Sequence, residues 1–291
     1  MPLRNLTLDD LWTLKAMGNI ALSPDGRRVA FEMQSADKET GEFRCVLFLL
    51  ELDQQGNTLG EPRQLTSGTR RDTRPVWAPD SRRLLFLSNR EGDTNQLWLI
   101  DTSGGEARKL TSMVRGISEA AWSPDGKWIA FTAPAAASDD VYVLTGRKTL
   151  DEASRKQREE EERFAPRSVT TIWYRLDGRG LFEKFTHLFV LPAPTDTADR
   201  IDPSTIRRLT SGSVDYSQPI WSPDSSEIAV LANLNENRDR SFVSDLWLIE
   251  RETAAARCLT EGTLEIVTYC LSKCGQMYST PLSVVVETSA H

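Results

Sequence analysis

Trp122-Ser123-Pro124-Asp125-Gly126 is the stretch on which the fold turns. It recurs as Leu22-Ser23-Pro24-Asp25-Gly26, Trp77-Ala78-Pro79-Asp80-Ser81 and Trp221-Ser222-Pro223-Asp224-Ser225, with a decayed copy at Leu271-Ser272-Lys273-Cys274-Gly275. Proline presets φ for a turn, aspartate bonds the turn backbone, and glycine or serine tolerates the next position. Each of the first four copies therefore reads as a hairpin corner. A short apolar strand follows each: Val29-Ala30-Phe31, Leu84-Leu85-Phe86, Ile129-Ala130-Phe131 and Ile228-Ala229-Val230.

Two further elements follow each corner in a fixed order. The first is an apolar run: Leu47-Phe48-Leu49-Leu50, Leu97-Trp98-Leu99-Ile100, Leu188-Phe189-Val190-Leu191 and Leu246-Trp247-Leu248-Ile249. The second is a Leu-Thr pair: Leu65-Thr66, Leu110-Thr111, Leu209-Thr210 and Leu259-Thr260. One unit thus supplies about four short strands, the content of a propeller blade. A single blade cannot bury both faces, so blades must stack, and the tryptophan before the corner is suited to fill the gap between neighbouring sheets. The residue before each proline falls at 23, 78, 123 and 222, with Ser272 as the weak fifth. Three of the four steps match a blade of roughly 40–50 residues, and the long one holds a single strand set, hence one blade with an insertion. The expected fold is all-β: a propeller of four blades plus a partial fifth, with one helical insertion.

The insertion is placed at about residues 145–180. Thr149 and Glu152 have capping-box spacing and open a charged helix running to about Arg163. The acids at 159–162 read as the solvated side of that helix or as an acidic contact surface. Thr171 to Tyr174 looks like a strand and Asp177-Gly178 a turn, so the insertion ends in a hairpin. At the N-terminus Thr7 and Asp10 repeat the capping spacing, with Leu8, Leu11 and Trp12 on one face of a short helix. The domain reading is a lead-in at 1–20 followed by an incomplete propeller over 21–291.

Composition narrows the function classes. The chain has 291 residues, a net charge of -7, 39% hydrophobic and 26% charged residues, eight Trp and ten Phe. That apolar bulk supports a core and speaks against disorder. The acidic balance speaks against nucleic acid, whose binders carry a basic stripe. The longest clean apolar run, Cys45 to Leu50, is far short of the roughly 20 residues that span a bilayer. Asp9 and Asp10 interrupt any secretory signal, so a cytoplasmic location and no membrane association are expected. Four cysteines and two histidines lack zinc-ligand spacing, so no metal and no cofactor are expected and the thiols read as reduced.

The Trp-Ser-Pro-Asp-Gly units, with their trailing Leu-Trp-Leu-Ile and Leu-Thr elements, resemble the propeller of the prolyl oligopeptidase (S9) family of serine peptidases. Within it the acylaminoacyl-peptidase-like branch is closest in character. The opening Leu6-Thr7-Leu8-Asp9-Asp10-Leu11 and the segment Tyr174-Arg175-Leu176-Asp177-Gly178-Arg179-Gly180 also resemble that branch. The Ser-Pro-Asp-Gly unit is shared with TolB-type propellers. The resemblance implies about seven blades that filter peptides by size above a C-terminal α/β-hydrolase domain bearing a Ser-Asp-His triad. Such a parent enzyme would take peptide substrates, some of them N-acylated, and the hydrolase domain would be the propeller's partner.

This chain departs from that pattern in its chemistry. No G-x-S-x-G elbow occurs in it, so His187 has no preceding nucleophile in the required order, and His291 is terminal. No phosphate loop, H-E-x-x-H or dinucleotide fingerprint is present. No catalytic residue is assigned. The strand before each tryptophan is expected to be the innermost of its blade. Arg74, Glu119 and Gln218, each three residues before a tryptophan, are therefore the candidate channel-lining positions, as peptide contacts or as solvated lining. A ring left open exposes apolar blade faces, so self-association is expected. The Leu282–Val286 tail is expected to add a strand to one open edge. The alternative reading is a TolB-like interaction module.

Overall fold

The computed structural model describes residues 7–68, 70–136, 139, 144–145, 160, 175–176, 180–181, 184–196, 201–236, 238, 240, 243–260, 269–271, 276–279 and 286–287. The first sheet runs in order through β1 (Lys15–Leu22), β2 (Arg28–Ala36), β3 (Phe43–Glu51) and β4 (Arg63–Gln64). The second repeats that order with β5 (Asp72–Trp77), β6 (Arg83–Ser88), β7 (Gln96–Asp101) and β8 (Arg108–Lys109). Then come β9 (Glu119–Trp122), β10 (Trp128–Ala135), and a two-stranded hairpin of β11 (Arg175–Leu176) and β12 (Gly180–Leu181). With β13 (Phe185–Pro192) and β14 (Arg207–Arg208), strands β9 and β10 form the third sheet, in the order β14-β13-β10-β9. The fourth is β15 (Tyr216–Trp221), β16 (Glu227–Ala232), β17 (Asp245–Glu250) and β18 (Ala256–Cys258). These are four up-and-down antiparallel blades, one for each copy of the repeat.

A fifth sheet has three strands, β19 (Tyr269–Leu271), β20 (Gln276–Ser279) and β21 (Val286–Glu287). Of the decayed copy, Leu271 alone is among the described residues, at the end of β19. The pairing Leu271↔Met277 is one position tighter than Trp221↔Ile228. Val286, the one described residue of the 282–286 tail, pairs with Met277 inside this sheet. The proposed helix at 149–163, apart from Glu160, and the strand at 171–174 lie outside the described residues. The hairpin expected at the end of the insertion is β11–β12. Near the N-terminus the short helix is a 3₁₀ turn at Leu8–Thr13 beside β2, with the Asp10 carboxylate accepting from the Thr7 N–H at 2.6 Å.

The repeat is explained atom by atom. In three blades the corner serine donates to its aspartate (Ser23 to Asp25, Ser123 to Asp125, Ser222 to Asp224, at 2.5–2.6 Å) and accepts the N–H that opens the next strand. In the second blade, where Ala78 replaces serine, Asp80 instead accepts both N–H groups of Arg82 and Arg83. The fourth corner residue has positive φ in every blade, at Gly26, Ser81, Gly126 and Ser225, which is why glycine recurs there. The Leu-Thr pair closes each blade. Its leucine N–H bonds the carbonyl, and its threonine Oγ1 accepts the N–H, of the first residue of the apolar run, Leu47, Leu97, Leu188 or Leu246.

The chain divides into two compact units, Met1–Ser112 with Gly116–Ile129 and Pro192–Ile201, and Met113–Arg115 with Ala130–Leu191 and Asp202–His291. In the first unit Trp77, Leu84, Phe86, Trp98 and Ile100 of the second blade pack with Ala30, Leu47 and Leu49 of the first. The tryptophan therefore fills the gap between blades, as its bulk leads one to expect. Arg63 crosses the same junction to the Thr102 carbonyl at 2.7 Å. Within the second unit Phe131 stacks on Phe189, and Ala229, Leu231, Leu246 and Leu248 form the core of the fourth blade. The row Leu22–Val29–Leu50 of the first blade corresponds to Trp77–Leu84–Ile100 of the second. There Leu22 is 59% exposed, beside Met17 at 59% and Ile20 at 61%.

Candidate functional site

The first strands of the blades hold the candidate positions, and all three strands whose registers are described across this point carry a bulge there. The ladder slips between Met17 and Ile20, between Thr73 and Val76, and between Ser217 and Ile220, with one extra residue on the first strand each time. Arg74 and Gln218 occupy these bulges with φ of 53°, and each precedes a proline, a residue the ladder can spare an N–H for only at such a point. A left-handed backbone at a residue with a Cβ costs about 1 kcal/mol or more, so neighbouring contacts must hold it.

For Arg74 those contacts come from the first blade. Its N–H donates to Glu32 Oε1 at 2.5 Å, and the Asn19 side chain donates to the same oxygen at 2.7 Å. Glu32 is 6% exposed on β2, and Gly18 leaves it room: a Cβ on Gly18 would stand 2.3 Å from Glu32 Oε2. The Cys45 thiol points at that oxygen, 3.9 Å away. Burial, then the Glu32 charge, push this thiol up to about 12, which keeps it protonated and unreactive. The freed Arg74 guanidinium reaches Glu119 Oε1 at 3.1 Å. The structure thus brings two of the three candidates together, Arg74 half exposed and Glu119 mostly covered. Gln218 lies in the equivalent bulge of the second unit.

Glu32 and Asn19 were not singled out in the sequence. Asn19 stands three residues before Leu22, the position of Arg74, Glu119 and Gln218 in the other copies, so aligning the first copy finds it. Glu32 is a lone acid in an apolar strand, and that is its only signal.

His187 occupies the position before the apolar run, where the second and fourth blades have Gln96 and Asp245. Thr111 donates its hydroxyl to Gln96 at 3.0 Å and Thr260 donates to Asp245 at 2.8 Å. Thr210 Oγ1 lies 3.3 Å from His187 Nδ1. By analogy with Thr111 and Thr260, which accept a main-chain N–H and donate to the side chain at this position, Thr210 is assigned as donor to Nδ1, which places the ring proton on Nε2. Burial, then the Arg208 charge, lower the imidazole to about 4, so it is neutral at pH 7. Among the described residues no His, Cys, Asp and Glu side chains converge as a metal site.

Blades of this register and closure define a β-propeller domain. A family model described as the TolB beta propeller domain (PD40) matches residues 15–183. The chain belongs to that family.

Its relatives are peptidases, as the resemblance implied. It is 29% identical over 245 residues to "Uncharacterized peptidase YuxL" of Bacillus subtilis (strain 168), covering 84% of this chain and 34% of that protein. It is 32% identical over 93 residues to dipeptidyl-peptidase 5 of Porphyromonas gingivalis, covering 32% of this chain and 13% of that protein. Among solved structures it is similar to acylaminoacyl peptidase of Pyrococcus horikoshii, with a TM-score of 0.59 and 14% identity over 92% of this chain and 36% of that one. Prolyl oligopeptidase B of Galerina marginata gives a TM-score of 0.52 and 13% identity over 94% and 32%. At these identities the structural likeness shows the fold. The chain spans about a third of the length of YuxL.

Proposed function

We propose that this chain is the substrate-gating propeller portion of an S9-type serine peptidase that acts on short peptides, N-acylated ones among them. The observation that carries this reading is the match to a peptidase over 84% of this chain and only 34% of that protein. In this reading an α/β-hydrolase domain supplies the nucleophile, and Arg74, Glu119 and Gln218, each three residues before a blade tryptophan, line the path of the peptide. A cytoplasmic location belongs to the same proposal and is supported by the free thiols of Cys45 and Cys258; no described helix is long and apolar enough to cross a membrane. A second reading, a TolB-like interaction module, is favoured by the description of the matching family model.

The DNA after the last codon separates the two readings. A continuing frame that encodes G-x-S-x-G followed by Asp and then His supports the peptidase. A stop followed by unrelated genes favours the interaction module.

A further inference from the structure

On β13 and β14 of the third blade the second unit holds a charged group that no function so far uses. Arg208 lies on β14, and Thr210 fixes both it and His187. The Thr210 carbonyl accepts from Arg208 Nε at 2.7 Å, while the Thr210 hydroxyl meets His187 Nδ1. Arg208 Nη1 donates to the Ala136 carbonyl at 3.0 Å. Two donors are left over: Arg208 Nη2 and His187 Nε2 are both buried and neither has a hydrogen-bond partner. His187 is 0% exposed, and the Tyr216 ring packs 5.9 Å from it. A buried N–H without an acceptor costs about 1–3 kcal/mol, and more for a charged group, so a pair of them signals a missing acceptor.

The local charge indicates which acceptor. The two acids that act on this pair are committed elsewhere. Asp139 pairs with Arg115 and accepts the Ala136 N–H, and the exposed Asp215 accepts the Thr186 N–H at 2.6 Å. With the Asp139–Arg115 pair closed and Asp215 screened by water, Arg208 carries a positive charge that has no ion pair of its own among the described residues. We propose that Arg208 Nη2 and His187 Nε2 form a buried binding site for a compact monovalent anion of the halide kind. One guanidinium donor and one imidazole donor suit a single acceptor atom, and they are too few for the several oxygens of a phosphate. The site is independent of the peptidase reading.

Thermal unfolding of the full chain in sodium chloride and in sodium gluconate, at matched ionic strength, tests it. The expected result is a chloride-specific rise in the midpoint that saturates, with bromide able to replace chloride. Arg208→Gln should weaken chloride binding about tenfold or more. Glutamine is tolerated at this repeat position, since Gln64 makes the equivalent bond to the Thr66 carbonyl at 2.7 Å. Chlorine-35 line broadening on the wild-type chain gives a second readout that needs no variant: it should be saturable and displaced by bromide. Equal midpoints in the two salts with no displaceable broadening mean that water alone fills the site, and overturn the proposal. So does an unchanged chloride effect in a folded Arg208→Gln chain.

Discussion

The indole N–H of Trp77 donates to the main-chain carbonyl of Ala21 at 2.9 Å, so the tryptophan of the second blade is pinned to the first strand of the first. Trp122 has no such bond; its Nε1 is unpartnered and the Arg83 guanidinium covers its ring at 5.1 Å. Trp122→Ala should therefore lose packing, about 3–5 kcal/mol. Trp77→Phe should lose a hydrogen bond and part of its packing, about 1–2 kcal/mol. Glu160→Ala, at an exposed residue, should stay within about 0.5 kcal/mol. Urea midpoints rank the three, and equal midpoints for Trp122→Ala and Glu160→Ala remove the inter-blade packing assignment.

Gly18→Ala places a methyl group where the Glu32 carboxylate stands, and the expected cost is about 1–3 kcal/mol. The cost should shrink in a Glu32→Ala background, because the two residues share one space. A double-mutant cycle with no coupling shows that Glu32 does not hold the Arg74 bulge as described.

The imidazole of His187 binds a proton less readily in the folded chain than at its ordinary value of 6.5. Between pH 6.5 and about 4 the unfolded chain therefore holds the extra proton. The stability due to the neutral ring is fully present above 6.5 and is lost as pH falls toward 4, by no more than about 3 kcal/mol. His187→Gln should flatten this limb and change stability at pH 7.5 by less than about 1 kcal/mol, since Gln96 accepts the equivalent threonine hydroxyl. Parallel pH profiles for the two chains refute the assignment.

Met17, Ile20 and Leu22 give the isolated chain an apolar strip on its first strand. We expect concentration-dependent self-association in light scattering, reduced by Met17→Lys with Ile20→Lys. A monodisperse monomer at every concentration contradicts this.

What was legible in the sequence was whatever the chain settles locally. The Ser-Pro-Asp-Gly corner and the Leu-Thr closure make the bonds that shape them within one blade, so four copies spell out four sheets, although the Asp25 N–H also reaches Ser81 Oγ of the next corner at 3.0 Å. The bulges were less visible. Only the Arg74-Pro75 and Gln218-Pro219 pairs mark them, through a proline where a ladder N–H should be. The partners of Glu32 were hidden, because the Arg74 N–H comes from the next blade, 42 residues on. His187 becomes readable only when set beside Gln96 and Asp245.

Peptide hydrolysis tests the central claim most directly. The 291 residues are assayed alone and joined to an α/β-hydrolase domain, with that domain alone as reference, on short and long N-acylated peptides. The chain alone should be inert and unlabelled by a fluorophosphonate probe. The joined protein should cleave short peptides and reject long ones, and the hydrolase domain alone should lose that discrimination. Equal discrimination without the propeller, or hydrolysis by the 291 residues themselves, contradicts the account.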